Sequence, residues 1–212
     1  MNKYTINTII IVSLLLIITA CSDSTTGVSD EPVSDVNVNL VEDFDARGAD
    51  GQFSFFSLRS GQEVAHADSA TTEWDIAIRG TTILINSGIS GPGEGGALLL
   101  DVPFDEVEIA PSTGYAEDSD EILAIPKGSG NGWYNYTGGA TPQNAILPIE
   151  EVTIVLQTGD GNHYAKMEIL SYYRGNPDTS TDEFANSETR PDARHYTFRY
   201  AIQQIENLRD LE

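Results

Sequence analysis

Apolar residues in this chain recur at every second position, and this alternation is the feature that most constrains its fold. Four runs show the pattern: 36–40, 74–79, 152–156 and 195–202. Successive side chains of a strand point to opposite faces, so such runs predict β-strands that place one face against a core. In the last run the aromatic residues from Tyr196 to Tyr200 share one face. His195 falls on the opposite, polar face, which predicts a solvated histidine.

Turn-forming residues separate these runs, since the chain contains 19 glycines and 9 prolines. The clearest predicted hairpin joins 152–157 to 164–173 through the turn 158–162. Residues 176–194 are polar and bounded by prolines, which predicts a long excursion between the last two strands. Helical periodicity is absent except over Ile202–Leu211. We therefore predict an all-β fold: an antiparallel β-sandwich-like single domain, or a β-rich open fold.

The first 20 residues predict a signal peptide. Lys3 is the only charged residue before Cys21, and Ile9–Ala20 is almost continuously apolar. This segment is shorter than the roughly 20 apolar residues that a membrane-spanning helix needs. Thr19-Ala20-Cys21 is similar to the lipobox of bacterial lipoproteins, in which the cysteine thiol receives a diacylglycerol before cleavage. Cys21 is therefore the predicted lipid attachment site, and an ordinary secretory signal is the alternative.

The sequence after Cys21 predicts a tether followed by a domain. Residues 21–35 contain almost nothing to bury, which indicates a flexible tether, and the β domain then occupies 36–212. Ser22 follows the cysteine where an aspartate would disfavour transport to the outer membrane of many Gram-negative bacteria. The predicted location is the outer membrane, with the domain anchored by lipid and exposed at the cell surface. A periplasmic orientation stays open.

The charge balance limits the partners. The chain has 33 acidic and 11 basic residues, for a formal charge of −22. Such a charge repels phosphate backbones and anionic lipid headgroups, so we expect no nucleic-acid partner and no membrane docking through a basic face. Membrane attachment is expected through the N-terminal lipid instead. Cys21 is also the only cysteine, which excludes internal disulfides and cysteine-based metal sites.

No set of residues matches a known catalytic arrangement. The three histidines lack ligand spacing and no H-E-x-x-H motif is present. The glycine-rich segment 86–96 has no lysine to match a phosphate loop, Pro92 removes a backbone donor, and Glu94 would repel a phosphate. We therefore predict a binding protein, not an enzyme.

An ordered set of segments is similar to one family, the HmuY haem-binding lipoproteins. The segments are Trp74-Asp75-Ile76-Ala77, Asn86-Ser87-Gly88, Ser90-Gly91, Gly93, Gly95-Gly96-Ala97, Gly132-Trp133-Tyr134, Tyr136, Asp160-Gly161, Tyr164-Ala165-Lys166, Ser171-Tyr172-Tyr173, Tyr196-Thr197-Phe198 and Tyr200. The resemblance implies an all-β domain, a lipid anchor in the outer membrane, and capture of haem for delivery to an outer-membrane receptor.

The axial haem ligands of that family are not matched. The best-studied branch uses two histidines and other branches use methionines. One ligand position falls at 137–139 and the other within 117–130, and neither stretch contains histidine or methionine. A haem would then be held weakly or by Tyr134, Tyr136 or His163, because haem iron takes imidazole, thioether or phenolate ligands. The alternative is a non-haem surface binding module whose β domain has lost the ligands of the family.

Trp133, Tyr134 and Tyr136 are the candidate ligand-pocket residues. Aromatic walls with few polar groups suit a flat apolar ligand such as haem. Ordinary strand packing is the competing interpretation of the same three residues. Neither family position for an axial ligand of haem iron holds a histidine or methionine. Among the histidines, His163 is the remaining candidate metal ligand.

Overall fold

A computed structural model describes residues 36–212. The predicted signal peptide 1–20, the predicted lipid site Cys21 and the predicted tether 21–35 lie outside these described residues. The strands are β1 (Val38–Asp45), β2 (Ser54–Ser57), β3 (Gln62–Val64), β4 (Ile76–Arg79), β5 (Thr82–Ile85), β6 (Gly96–Asp101), β7 (Tyr134–Tyr136), β8 (Ile146–Pro148), β9 (Val152–Gln157), β10 (Tyr164–Tyr173) and β11 (Ala193–Ile202). One short helix, α1 (Asp182–Ala185), and three 3-10 turns, Ala49–Gly51, His66–Asp68 and Phe104–Glu106, complete the described elements.

The strands form three antiparallel sheets. A five-stranded sheet has the order β1-β11-β10-β9-β6, a four-stranded sheet has the order β3-β2-β4-β5, and β7 pairs with β8. The predicted hairpin is confirmed, because Tyr164 of β10 pairs with Gln157 of β9. The predicted excursion between the last two strands is also confirmed, and it contains α1. The all-β antiparallel fold that the alternation predicted is therefore what the structure has.

The main core lies between the two larger sheets. Phe56 of β2 meets Phe198 of β11 edge to face, with ring centroids 5.5 Å apart. Met167 of β10 is fully buried in the same core. The Tyr196 hydroxyl donates to the carbonyl of Gly80, 2.8 Å away, which joins β11 to the turn between β4 and β5. Both larger sheets thus contribute their inward faces to one apolar layer, as in a β-sandwich.

The sequence prediction for the chain end was wrong. Ile202–Leu211 was predicted as a helix, but β11 continues to Ile202 and the residues after it form turns and an isolated bridge between Asp210 and Ile109. The cause is tertiary packing. Leu211 is buried against a second apolar cluster on the outer face of the five-stranded sheet, with Val155 among its members. An extended segment reaches this cluster. The amide of Leu211 donates to the Glu108 carbonyl at 2.7 Å and the amide of Asn207 donates to the Asn162 carbonyl at 2.7 Å, so these amides are paired outside a helix.

At two places the observed burial of side chains differs from the burial that the sequence alternation predicts. His195 was predicted to be solvated, but it is buried. Its Nε2 lies 2.7 Å from the Arg174 guanidinium and its Nδ1 lies 3.1 Å from the Ala193 carbonyl, so polar partners replace water. In β1 the apolar residues Val38 and Leu40 lie on the outward face and are exposed. Strand geometry fixes which residues share a face, but the surrounding chain decides whether that face is covered.

Candidate functional site

One surface loop contains a position that the HmuY resemblance assigns to a haem ligand. We define the 117–131 loop as the connection that begins after the bridge of Ala116 to β6 and ends before Trp133. Its first part is fixed by Asp118, which is buried. The carboxylate of Asp118 accepts the amide of Ile85 at 3.0 Å and the amide of Ala124 at 2.8 Å. The loop therefore starts from a rigid attachment to β5.

Gly88 makes this attachment possible. It has a φ of 55°, and a Cβ at this position would lie 1.8 Å from the carbonyl oxygen of Asp118. Any other residue would force the two segments apart. The Asn86-Ser87-Gly88 motif that the sequence shares with the HmuY family thus has a structural role beside the loop.

The second part of the loop lies along the β7–β8 hairpin. The amide of Gly130 donates to the carbonyl of Tyr134 at 2.9 Å, and the amide of Tyr136 donates to the hydroxyl of Ser129 at 2.7 Å. These bonds hold the loop against β7. Between its two attachments, residues 119–122 are exposed and project toward solvent, and a turn in which Ser119 and Ile122 exchange hydrogen bonds shapes this projecting part. Ala124 and Ile125, which follow, are buried in the main core.

Two shallow cavities flank this projecting part. One has a volume of about 290 Å³ and is lined by Glu121, Ile122, Leu123, Pro126, Lys127 and Asn131. The other, of about 140 Å³, shares several of these residues and adds Ile89, Ser119 and Asp120. Ile122 and Ile89 are each 59% exposed. The cavities lie at or below the lower end of small-molecule sites, so a flat ligand would rest on this loop and stay open to solvent on one side.

The three predicted pocket aromatics separate into buried and exposed residues. Trp133 is only 2% exposed and its indole N–H donates to the Thr81 carbonyl at 3.2 Å. Its ring centroid lies 4.9 Å from that of Tyr134, which is also buried. Tyr136 is 48% exposed, and its hydroxyl donates to Oδ1 of Asn144 at 2.6 Å. Of the three, Tyr136 is therefore the residue that a ligand could reach in this structure.

His163, the histidine candidate for the metal, belongs to a different region. It lies in the β9–β10 turn, with Nδ1 3.0 Å from the carboxylate of Asp160. Burial raises the pKa of Asp160, but hydrogen bonds from Thr158, Asn162 and His163 and the charge of Arg59 outweigh it and lower that pKa to about 2. The imidazole ring of His163 therefore contacts a carboxylate that stays ionised at neutral pH. None of these contacts involves the 117–131 loop.

The residues around the loop have some, but not all, of the properties that a haem-binding site needs. Exposed isoleucines suit the apolar macrocycle, and a cationic side chain, Lys127, stands beside them. A pair of imidazole or thioether ligands is missing, because 117–131 and 137–139 contain neither histidine nor methionine. Within residues 36–212 no group of three or more histidine, cysteine or acidic side chains could hold a metal ion. The loop and residues 137–139 therefore offer haem iron no imidazole or thioether ligand.

Sequence reasoning missed Ile89, Ile122 and Lys127. Ile122 and Leu123 are an apolar pair within an acidic connection, but such a pair is equally typical of a short buried segment. The signal lies in their exposure, which depends on the anchoring of the loop by Asp118 and cannot be recovered from the local pattern.

In the described part of the chain, residues 36–212, no helix has the length and apolar character to cross a membrane. No curated protein matches the chain. The family model of the HmuY protein matches residues 50–184, which is more than half of the chain and includes β2 through β10 as well as the whole 117–131 loop. The chain therefore belongs to the HmuY family.

Proposed function

We propose that this protein is a lipid-anchored haem-binding protein of the Gram-negative outer membrane, and that haem rests on the 117–131 loop. One observation carries the proposal. The segment in which the family resemblance places an axial ligand is also the segment that exposes apolar side chains beside two cavities. Delivery of haem to an outer-membrane receptor belongs to the same proposal, and the family membership supports it. We infer that the protein binds its ligand without chemical conversion.

The expected binding mode is apolar contact without two strong axial ligands. Burial of apolar surface contributes roughly 25 cal/mol per Å², so Ile122 and its neighbours supply a modest affinity. The exposed phenol of Tyr136 stands next to the other family ligand position, at 137–139. Addition of haem should therefore give a Soret shift without the sharp low-spin bands of bis-histidine or bis-methionine coordination.

Replacement of Ile122 with aspartate is expected to weaken haem binding about tenfold, which corresponds to about 1.4 kcal/mol. The variant removes exposed apolar contact area and adds a charge that repels the haem propionates. Difference spectra during a haem titration measure the effect. Ile109→Asp is the matched control, because Ile109 is 64% exposed and lies outside the loop. If both variants bind haem as the unmodified protein does, the proposed position of haem is incorrect.

Membrane attachment is proposed to depend on Cys21. Cys21→Ala removes the thiol that would carry the diacylglycerol, so the protein should leave the membrane fraction and lose metabolic labelling by a fatty acid. Fractionation followed by immunoblotting measures this change. Ser22→Ala, which keeps the thiol, is the control and should remain labelled. A Cys21→Ala variant that is still membrane-bound and labelled would contradict the lipid anchor.

A non-haem binding module is the second candidate function, and the missing axial ligands favour it. The 117–131 loop would then hold another flat amphiphile by the same exposed isoleucines. Haem titration separates the two candidates. Binding of haem at micromolar concentration supports the first, and no spectral change at high micromolar haem supports the second.

A further inference from the structure

Almost every basic side chain in the described part of the chain is already engaged. The chain has 11 basic residues, and all but Lys3 lie within 36–212. Nine of these ten side chains contact a carboxylate, a carbonyl, a histidine, a tyrosine hydroxyl or an aromatic ring: Arg47, Arg59, Arg79, Lys166, Arg174, Arg190, Arg194, Arg199 and Arg209. In so acidic a protein such engagement is expected, because the 33 acidic residues outnumber the 11 basic ones.

Lys127 is the exception among the basic residues of 36–212. It is exposed, and no hydrogen bond, ion pair or ring contact of its side chain is present. Its backbone is nevertheless held, because its carbonyl accepts the side-chain amide of Asn131 at 3.3 Å. The neighbouring Pro126 further restricts the chain there. A fixed backbone thus presents an unpaired ammonium group to solvent.

Lys127 lies beside the exposed apolar part of the 117–131 loop. Its side chain lines both cavities of the 117–131 loop, together with the exposed Ile122. Asp120 and Glu121 lie on the same loop, yet neither forms an ion pair with the lysine. The loop therefore combines an apolar surface with one unsatisfied cation, which is the pattern that an amphiphilic carboxylate requires.

We propose that Lys127 binds a propionate carboxylate of haem and thereby selects anionic porphyrins. This inference rests on the proposed haem function and names the group that recognises the charged edge of the ligand. Asp120 and Glu121 oppose binding of an anion, so Lys127 is needed to offset their repulsion. The contact is open to solvent, and its contribution should fall as ionic strength rises.

The test compares haem with haem dimethyl ester, in which both carboxylates are neutral. Lys127→Gln should weaken haem binding about fivefold at low salt, the upper range for a solvent-exposed ion pair, and should leave the affinity for the dimethyl ester unchanged. Raising the salt concentration should reduce the difference for haem. Arg47→Gln is the charge-matched control, because it also makes the net charge more negative by one but lies two residues after β1, outside the loop.

The outcomes separate this inference from the function on which it rests. If the unmodified protein binds haem and Lys127→Gln binds it equally well, Lys127 does not contact a propionate and the haem function stands. If Lys127→Gln and Arg47→Gln weaken binding alike, the effect is one of net charge and the specific contact is also overturned. If the unmodified protein binds neither haem nor its ester, both the function and the role of Lys127 fail.

Discussion

Replacement of Asp75 with alanine is expected to lower the free energy of unfolding by about 3–5 kcal/mol, the range found when one partner of a buried ion pair is removed. Asp75 is only 2% exposed. Its carboxylate accepts the amide of Leu58 at 2.7 Å, the amide of Gly159 at 2.9 Å and Nε of Arg59 at 3.2 Å. These donors belong to the β2–β3 turn and the β9–β10 turn, so one side chain joins parts of both larger sheets.

The loss has two sources. The amides of Leu58 and Gly159 would be left buried without an acceptor, and each unsatisfied donor costs about 1–3 kcal/mol. Arg59 would keep Asp160 as its partner at 3.0 Å, which limits the penalty for the cation. Urea denaturation followed by tryptophan fluorescence measures the free energy of unfolding.

Asp101→Ala is the control for the removal of a carboxylate. Asp101 lies exposed at the end of β6, and its loss should change the free energy of unfolding by less than about 0.5 kcal/mol. Asp75→Asn preserves the size of the side chain and one acceptor oxygen, so its free energy of unfolding should lie between those of Asp75→Ala and Asp101→Ala. If Asp75→Ala is as stable as Asp101→Ala, the carboxylate does not hold the two turns together.

Much of the fold could be predicted because strand pairing follows local alternation. The β9–β10 hairpin and the aromatic face of β11 agree with the pattern in the sequence. What failed depends on distant residues. His195 can be buried because Arg174, 21 residues earlier in the chain, provides a polar partner, and the end of the chain is extended because Leu211 docks on the far side of the five-stranded sheet. A local window contains no information on either contact.

The candidate site was harder to predict for a related reason. Several residues that carry the family resemblance have structural roles: Gly88 permits a close approach to Asp118, and Asp75 joins two turns. Such residues identify a fold reliably and say little about the ligand. Ile122 and Lys127 belong to an irregular loop, where neither periodicity nor a motif marks a binding residue. The exposure of both side chains and the unpaired ammonium group of Lys127 appear only once the chain is folded.

Trp133→Ala is expected to lower the free energy of unfolding by about 3–5 kcal/mol, because truncation of a large core aromatic removes buried surface and leaves a cavity. The indole ring contacts the rings of Tyr134, Tyr172 and Tyr196, with centroid distances of 4.9, 6.0 and 5.1 Å. Its N–H bond to the Thr81 carbonyl would also be lost. Thermal unfolding followed by circular dichroism measures the change.

Tyr136→Ala is the aromatic control from the same segment. It helps to separate the two interpretations of these aromatic residues, strand packing and contact with a ligand. The ring of Tyr136 is half exposed, so its removal should cost less than about 1 kcal/mol. Haem titration of both variants, at a temperature where each is folded, completes the comparison. If Trp133 is a core residue, its variant loses stability and any loss of haem affinity follows from movement of the adjoining loop. If Trp133→Ala instead keeps its stability but loses haem binding, Trp133 contacts the ligand directly. That outcome would contradict the burial of its side chain in the structure.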